Sequence, residues 1–154
     1  MKSGRNQISL MIPVLALIFA STAMSQEKAV RMKDLPPAVQ ATVKEQSKGA
    51  RLRGLGMEVN EGKTFYEASL IVAGHGKDVL IDGGGNVVEV EEQVALNSLP
   101  PAVKAEILKQ AGRGRIVIVE SVTKNGALEF YEAHIKSGGR LKEVKVNLEG
   151  KLIP

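Results

Sequence analysis

The stretch DLPPAVQATVKEQ, residues 34–46, decides the fold because it occurs a second time, as SLPPAVKAEILKQ at residues 98–110. Further along, TFYEASL at residues 64–70 returns as EFYEAHI at residues 129–135, now shifted by 65 positions instead of 64. The change in shift indicates one inserted residue between the helix and the FYE strand. Similarity at a fixed period is typical of an internal duplication, so the sequence predicts two copies of a unit of roughly 64 residues.

Each copy is predicted to open with a short helix. Proline is accepted in a first helical turn because the backbone N–H there has no partner inside the helix. Asp34 and Ser98 precede these turns and are predicted to cap the helices with their side-chain oxygens. The residues that mark the two helix starts are Leu35, Pro36 and Pro37 in the first copy and Leu99, Pro100 and Pro101 in the second.

Three short strands are predicted to follow each helix. LGMEV, FYEASLIV and KDVLID form one set, RIVIVESV, EFYEAHIK and LKEVKVNL the other, with hairpin signals such as NEGK and KNGA between them. The predicted fold class is therefore α+β, with two tandem helix-plus-antiparallel-sheet (αβββ) repeats. The predicted boundaries are a signal peptide at 1–25, an N-terminal tail at 26–33, repeats at 34–90 and 98–154, and a linker at 91–97.

The first 25 residues are typical of a secretory signal peptide. Lys2 and Arg5 precede an apolar run from Ile8 to Ala20, and small residues follow before Gln26. The run is shorter than the roughly 20 apolar residues that span a bilayer, so we expect cleavage and no stable membrane anchor. This predicts a periplasmic or secreted chain. Because the sequence contains no cysteine, its stability must come from an apolar core and not from disulfides.

The alternation of side chains along a strand predicts two different sheet faces. Tyr66 and Tyr131 are predicted to face the helices. The opposite face carries the candidate partner-binding residues, which are Phe65, Glu67, Phe130, Glu132 and His134. Exposed phenylalanines would form an apolar patch suited to recognition. Alternatively, this face is covered by the other repeat, by residues 89–97, or by a partner in a homodimer.

These motifs together resemble the PepSY-like domain. A helix that opens LPxAV, a strand with Tyr-Glu and a small residue, and a hairpin that ends in glycine occur in both copies, over about residues 35–153. The tandem form is similar to exported proteins that share their fold with β-lactamase-inhibitory protein. The positions that match the structural motif are Tyr66, Asp82, Gly85, Tyr131 and Gly150, with Asn147 replacing the aspartate in the second copy. The resemblance implies a non-catalytic binding or inhibitory role.

No catalytic, cofactor or metal site is predicted. His75 and His134 occupy non-equivalent positions, and neither accompanies a nucleophile motif such as G-x-S-x-G. The glycine-rich stretch at residues 82–86 offers too few oxygen ligands for calcium and is predicted to be a hairpin turn. Nucleic acid is an unsuitable partner because residues 34–97 carry a net charge of −4 and residues 98–154 a net charge of +4, which leaves no continuous basic surface.

The sequence therefore favours an exported, non-catalytic binding module that recognises an envelope protein or peptide through its outer sheet face. An inhibitor or chaperone of an envelope hydrolase or protease is the concrete form that the resemblance implies. A module that binds a small ligand or an envelope polymer is the alternative. A third hypothesis is structural self-association, in which the oppositely charged halves pair head to tail between molecules.

Overall fold

The computed structural model describes residues 28–154, so the signal peptide predicted at residues 1–25 lies outside the described residues. One antiparallel sheet of nine strands dominates the described part of the chain, and its spatial order is the same as its chain order. The strands are β1 (Lys28–Ala29), β2 (Ala50–Asn60), β3 (Lys63–Val72), β4 (His75–Asp82), β5 (Val87–Gln93), β6 (Arg115–Lys124), β7 (Ala127–Ser137), β8 (Arg140–Asn147) and β9 (Leu152–Ile153). The helices are α1 (Pro37–Gln46) and α2 (Pro101–Ala111), each preceded by a short 3-10 turn.

The predicted fold class is wrong. Instead of two tandem αβββ repeats in an α+β layout, residues 28–154 form mostly one nine-stranded antiparallel sheet, with two short α-helices. The strand that joins the halves is β5. Its sequence VVEVEEQ is rich in glutamate and therefore resembles an exposed charged linker. Its valines and glutamates alternate between the two faces, and β5 pairs with both β4 and β6. Residues 91–93 of the segment predicted as a linker are the end of this strand.

Both helices pack on the same face of the sheet over two apolar cores. Tyr66 and Tyr131 pack against these cores, on the helix side as predicted. The first core contains Leu35, Val39, Val43, Ala68, Leu70, Val79 and Ile81. The second contains Leu99, Val103, Ile107, Ala111, Val119, Ala133, Ile135, Val144 and Val146. Among residues 28–154, neither helix has the length and hydrophobicity needed to cross a bilayer.

The helices begin at the second proline of each LPP motif, but the predicted side-chain caps are absent. Pro36 and Pro100 occupy the cap positions, and neither helix has a side-chain cap hydrogen bond. Asp34 lies in the preceding 3-10 turn, where its carboxylate accepts a 2.7 Å hydrogen bond from Arg31 Nε. The prediction of a cap at Asp34 fails because this carboxylate is taken by a local ion pair.

The hairpin ends dock against the helices through glycine. A Cβ added at Gly85 would lie 2.9 Å from the carbonyl carbon of Ala38, and one at Gly150 would lie 2.7 Å from the Ala102 Cβ. In the first hairpin the Asp82 carboxylate accepts 2.9 Å hydrogen bonds from the backbone N–H groups of Gly84 and Asn86. These bonds stabilise a hairpin turn at the Asp-x-x-Gly motif, as the sequence predicts.

The one-residue change in shift between the two halves falls at a bulge in β7. Thr123 pairs with Leu128 and Val122 pairs with Phe130, so Glu129 is left without a partner across the ladder. A bulge accommodates one extra residue while keeping the faces of the flanking residues. Phe130 therefore remains on the same face as Phe65.

Substitution of Gly150 with alanine tests the contact between hairpin and helix. Gly126 is the matched control because its φ of 83° is close to the 82° of Gly150, yet a Cβ there meets nothing within 4 Å. Gly126→Ala should lower the free energy of unfolding by about 1–2 kcal/mol, the cost of a left-handed alanine. Gly150→Ala should cost about 1–3 kcal/mol more, because it also forces Ala102 to move. Equal losses in urea unfolding would contradict the close approach.

Candidate functional site

The sheet face opposite the helices carries a dense array of carboxylates, which we call the acidic face. Within residues 28–154 both helices lie on the other side of the sheet. Register and alternation place the acidic groups in rows across strands β2 to β8. The acidic face contains Glu58, Glu67, Asp78, Glu89, Glu91, Glu120, Glu132 and Glu143, and Lys124, His134 and Lys145 lie among them.

Several of these charged side chains are buried although no helix covers them. Glu89 is 4% exposed and Glu120 is 5% exposed, and Glu58, Glu132 and His134 are also buried. Side chains on an uncovered face can lose water only by packing against one another, which requires the sheet to curl toward this side. A single cavity that touches all of strands β2 to β6 agrees with such a curl.

This cavity has a volume of about 520 Å³ and lies toward the end of the acidic face where β2 and β3 join in a hairpin. Its lining combines apolar and charged groups, including Glu58, Phe65, Leu80, Glu89 and Lys124. Lys124 Nζ lies 3.0 Å from Glu89 Oε2, so this cation bridges the two halves of the sheet. The cavity is large enough for a side chain or a small ligand.

A second group of charges lies on β6, β7 and β8. His134 Nε2 is 2.9 Å from Glu132 Oε1 and 3.6 Å from Glu120 Oε2. Lys145 Nζ is 3.2 Å from Glu143 Oε1 and 3.8 Å from Glu132 Oε2. The imidazole and the lysine therefore share one carboxylate, and each also approaches another.

Phe65 and Phe130, the two phenylalanines of residues 28–154, lie on this face, and both are half-buried. Phe65 lines the cavity. The Phe130 ring lies between two cations, because Lys124 Nζ and Lys145 Nζ are each 5.6 Å from its centroid. Such distances are typical of cation–π contacts, so Phe130 holds the lysines among the carboxylates.

The structure thus places all five predicted partner-binding residues on one face. Phe65 and Glu67 lie on β3, while Phe130, Glu132 and His134 lie on β7. Sequence reasoning missed the residues that join these two groups, which are Glu58, Asp78, Glu89, Glu91, Glu120, Lys124, Glu143 and Lys145. Alternating valine and glutamate in β5 was the available signal, since it predicts a strand with one charged side.

Burial raises the pKa values of two carboxylates on the acidic face, Glu91 and Glu120. Burial, with the neighbouring charges of Glu132, Glu120, Glu89 and Asp78, raises the pKa of Glu91 to about 9. Burial raises the pKa of Glu120 to about 7, although His134 acts in the opposite direction. The pKa of His134 is also raised, chiefly by its hydrogen bond to Glu132.

Comparison with known proteins identifies the fold. No family model matches the sequence, and no curated protein matches it. A BLIP-like protein from Bacteroides fragilis superposes with a TM-score of 0.57 at 19% identity, over 78% of this chain and 84% of its own. A candidate periplasmic protein from Bacteroides eggerthii gives a TM-score of 0.64 at 15% identity, over 78% of this chain and 86% of its own.

A DUF2874 family protein from Bacteroides uniformis gives a TM-score of 0.61 at 20% identity, over 77% of this chain and 86% of its own. The chain therefore has a fold related to that of the BLIP-like protein, as the sequence resemblance implied. The neighbour from Bacteroides eggerthii is described as periplasmic, which is one of the two locations that the sequence predicts for this chain. Assignment to tandem PepSY-like domains stays a prediction.

The raised pKa values predict how stability depends on pH. Glu91 and Glu120 keep their protons to higher pH in the folded chain than in the unfolded chain, so the folded state binds more protons between about pH 5 and 9. The free energy of unfolding should therefore fall as the pH rises through this range. The raised pKa of His134 acts in the same direction.

Glu91→Gln should remove part of this dependence and raise the Tm at pH 8 by about 3–5 °C, which corresponds to about 1 kcal/mol in a domain of this size. Glu92→Gln is the control, because the adjacent Glu92 is exposed on the other side of β5. Thermal melts of the three proteins from pH 5 to 9 provide the measurement. A wild-type Tm that rises with pH over this range would contradict the prediction.

Proposed function

We propose that this protein is an exported, non-catalytic binding module that holds a cationic segment of another envelope protein or peptide against its acidic face. The observation that carries the proposal is the array of eight carboxylates on a sheet face that no helix covers within residues 28–154. Lysine or arginine side chains of a partner would offset the mutual repulsion of these groups, and that repulsion is largest where they are least hydrated.

The shape of the face supports a segment with both charge and apolar character. Phe65 and Leu80 line the cavity beside Glu58 and Glu89, so an aliphatic stem could contact the apolar side chains while its charged end reached a carboxylate. Phe130 contributes a second aromatic surface on β7. Aromatic groups beside charges are typical of protein recognition sites.

The concrete form of this function is inhibition or chaperoning of an envelope hydrolase or protease. Support comes from the sequence resemblance to PepSY-like domains and from the fold shared with a BLIP-like protein. The resemblance does not imply specificity for a basic segment. We infer this specificity from the negative charge of the acidic face. In this proposal the duplicated sequence motif supplies two phenylalanines on one binding surface.

The cavity also favours one alternative. A volume of about 520 Å³ lined by mixed polar and apolar groups suits a small cationic ligand or a unit of an envelope polymer. A partner that needs only the cavity would depend on Glu58 and Phe65 and not on Phe130. Self-association through the oppositely charged halves is the third hypothesis, and its signature is dissociation at high salt in the absence of any partner.

The test is capture from an envelope extract with three immobilised forms of the exported protein. One is the wild type, and the second carries Glu58→Gln and Glu67→Gln on the acidic face. The third carries Glu45→Gln, on the exposed surface of α1, and Glu92→Gln on the exposed other side of β5. The two variants change the net charge equally and keep the side-chain shapes, so they differ only in which surface is altered.

We expect a basic protein or peptide to bind the wild type and the control form and to be lost from the acidic-face form. Its affinity for the wild type should fall steeply between low salt and about 0.5 M salt, because exposed charge pairs are screened. Retention by the acidic-face form, or capture of acidic proteins instead, would contradict the proposed function. Loss of binding in a Phe65→Ser form, with full binding in a Phe130→Ser form, would favour the cavity alternative.

A further inference from the structure

Two neighbouring strands bring three ligand-type side chains together on the acidic face. Glu120 on β6 is directly opposite Glu132 on β7, and His134 follows two positions along β7 on the same face. One ligand atom from each residue lies within 4.8 Å of the other two. All three residues are buried, and even the side chain alone is only 7%, 9% and 10% exposed for Glu120, Glu132 and His134.

The Glu120 carboxylate lacks hydrogen bonds within residues 28–154. Its closest cationic atom is His134 Nε2 at 3.6 Å, which is beyond hydrogen-bond distance. A carboxylate that is more than nine-tenths buried normally accepts several hydrogen bonds, because its desolvation is otherwise costly. One of its oxygens lies within 4.8 Å of the ligand atoms of Glu132 and His134, so a cation between them would contact all three groups.

The two distances from His134 to the carboxylates fit ligands of a tetrahedral metal ion. Two ligands bound to Zn²⁺ at about 2.0–2.2 Å lie about 3.4 Å apart when the angle between them is tetrahedral. The distances from His134 Nε2 to Glu132 Oε1 and Glu120 Oε2, 2.9 and 3.6 Å, lie on either side of this value. Two ionised carboxylates and a neutral imidazole carry the charge of −2 that balances a divalent cation, which replaces the protons that Glu120 and His134 otherwise hold.

We propose that Glu120, Glu132 and His134 bind one Zn²⁺ ion on the acidic face. Imidazole is a ligand for zinc and related transition metals, whereas Ca²⁺ and Mg²⁺ take oxygen ligands. Three protein ligands leave the fourth tetrahedral position for water or for a donor atom of a bound partner. The site differs from the binding of a cationic segment, since it depends on His134 and on metal instead of on the whole charged face.

The surrounding charges are compatible with this ion. Lys145 Nζ is closer to Glu143 than to Glu132, at 3.2 Å against 3.8 Å, so Glu143 can retain the lysine when Glu132 binds metal. The corresponding positions of the first half, read from the register and the FYE alignment, are Gly56, Glu67 and Ser69. Two of the three ligands are therefore missing there, and we expect a single site per chain.

The experiment is a zinc titration of the purified exported protein at pH 7.5, in competition with a chromophoric chelator. Wild type should bind one equivalent, and His134→Ser, which installs the residue found at the matching position of the first half, should weaken binding at least about tenfold, the loss that even an outer-shell partner can cause. Glu120→Gln should weaken it similarly. His75→Ser should bind as wild type does, because His75 is exposed at the β3–β4 turn.

Cobalt provides a readout of geometry in the same proteins. Co²⁺ bound to the wild type should give the intense visible absorption of tetrahedral coordination, which His134→Ser should abolish, and excess Ca²⁺ should not displace the metal. Far-UV circular dichroism shows which variants are folded. If His134→Ser does not fold, Glu120→Gln provides the test instead. Absence of zinc uptake at micromolar concentration, or unchanged affinity in a folded His134→Ser or Glu120→Gln protein, would overturn the proposal.

Discussion

Both helices pack on one face of a single sheet, and the rest of the structure depends on this one-sided arrangement. The covered face supplies most of the apolar burial in residues 28–154, through two cores built around Val39 and Val43 and around Val103 and Ile107. Within residues 28–154 the other face receives no such layer. Its side chains can reach a low-dielectric environment only by packing on one another across a curled sheet.

This one-sided arrangement explains why the acidic face destabilises the folded chain and also favours the binding of cations. Burial of carboxylates that repel one another opposes folding in their charged form, and it raises the pKa values of Glu91 and Glu120. A proton, a lysine, a partner's basic side chain or a metal ion can each offset the same repulsion. Groups with strongly perturbed pKa values cluster at functional sites.

The predictable features of the fold are those that depend on residues close together in the sequence, namely the helix starts and the faces of single strands. The LPP motifs mark the helix starts to within a residue or two, and the alternation in the FYE strands places Tyr66 and Phe65 on their correct faces. The fold class was wrong because it depends on the pairing of β5 with β6, which are separated by a helix and whose contact leaves no local pattern. A dense run of glutamates also resembles a solvated connection more than a strand.

Only part of the candidate site could be predicted, again because the rest depends on pairing between strands that are distant in the sequence. Phe65, Glu67, Phe130, Glu132 and His134 follow from alternation within β3 and β7, whereas Glu120 joins them only because of the register between β6 and β7. His134 resembles a surface histidine in the sequence, yet the pairing of strands buries it between two carboxylates. Spacing along one chain segment cannot reveal a cluster whose members come from different strands.

The seam between β5 and β6 has a further consequence for how molecules can associate. Each half has its own core, and the ladder between the halves consists of five residue pairs, from Glu89 opposite Lys124 to Gln93 opposite Glu120. If this ladder opened, the β5 edge of one molecule could pair with the β6 edge of a second molecule in the same register. The two copies would then exchange halves around residues 94–100, and the domain-swapped dimer would rebuild both acidic faces without any new contact.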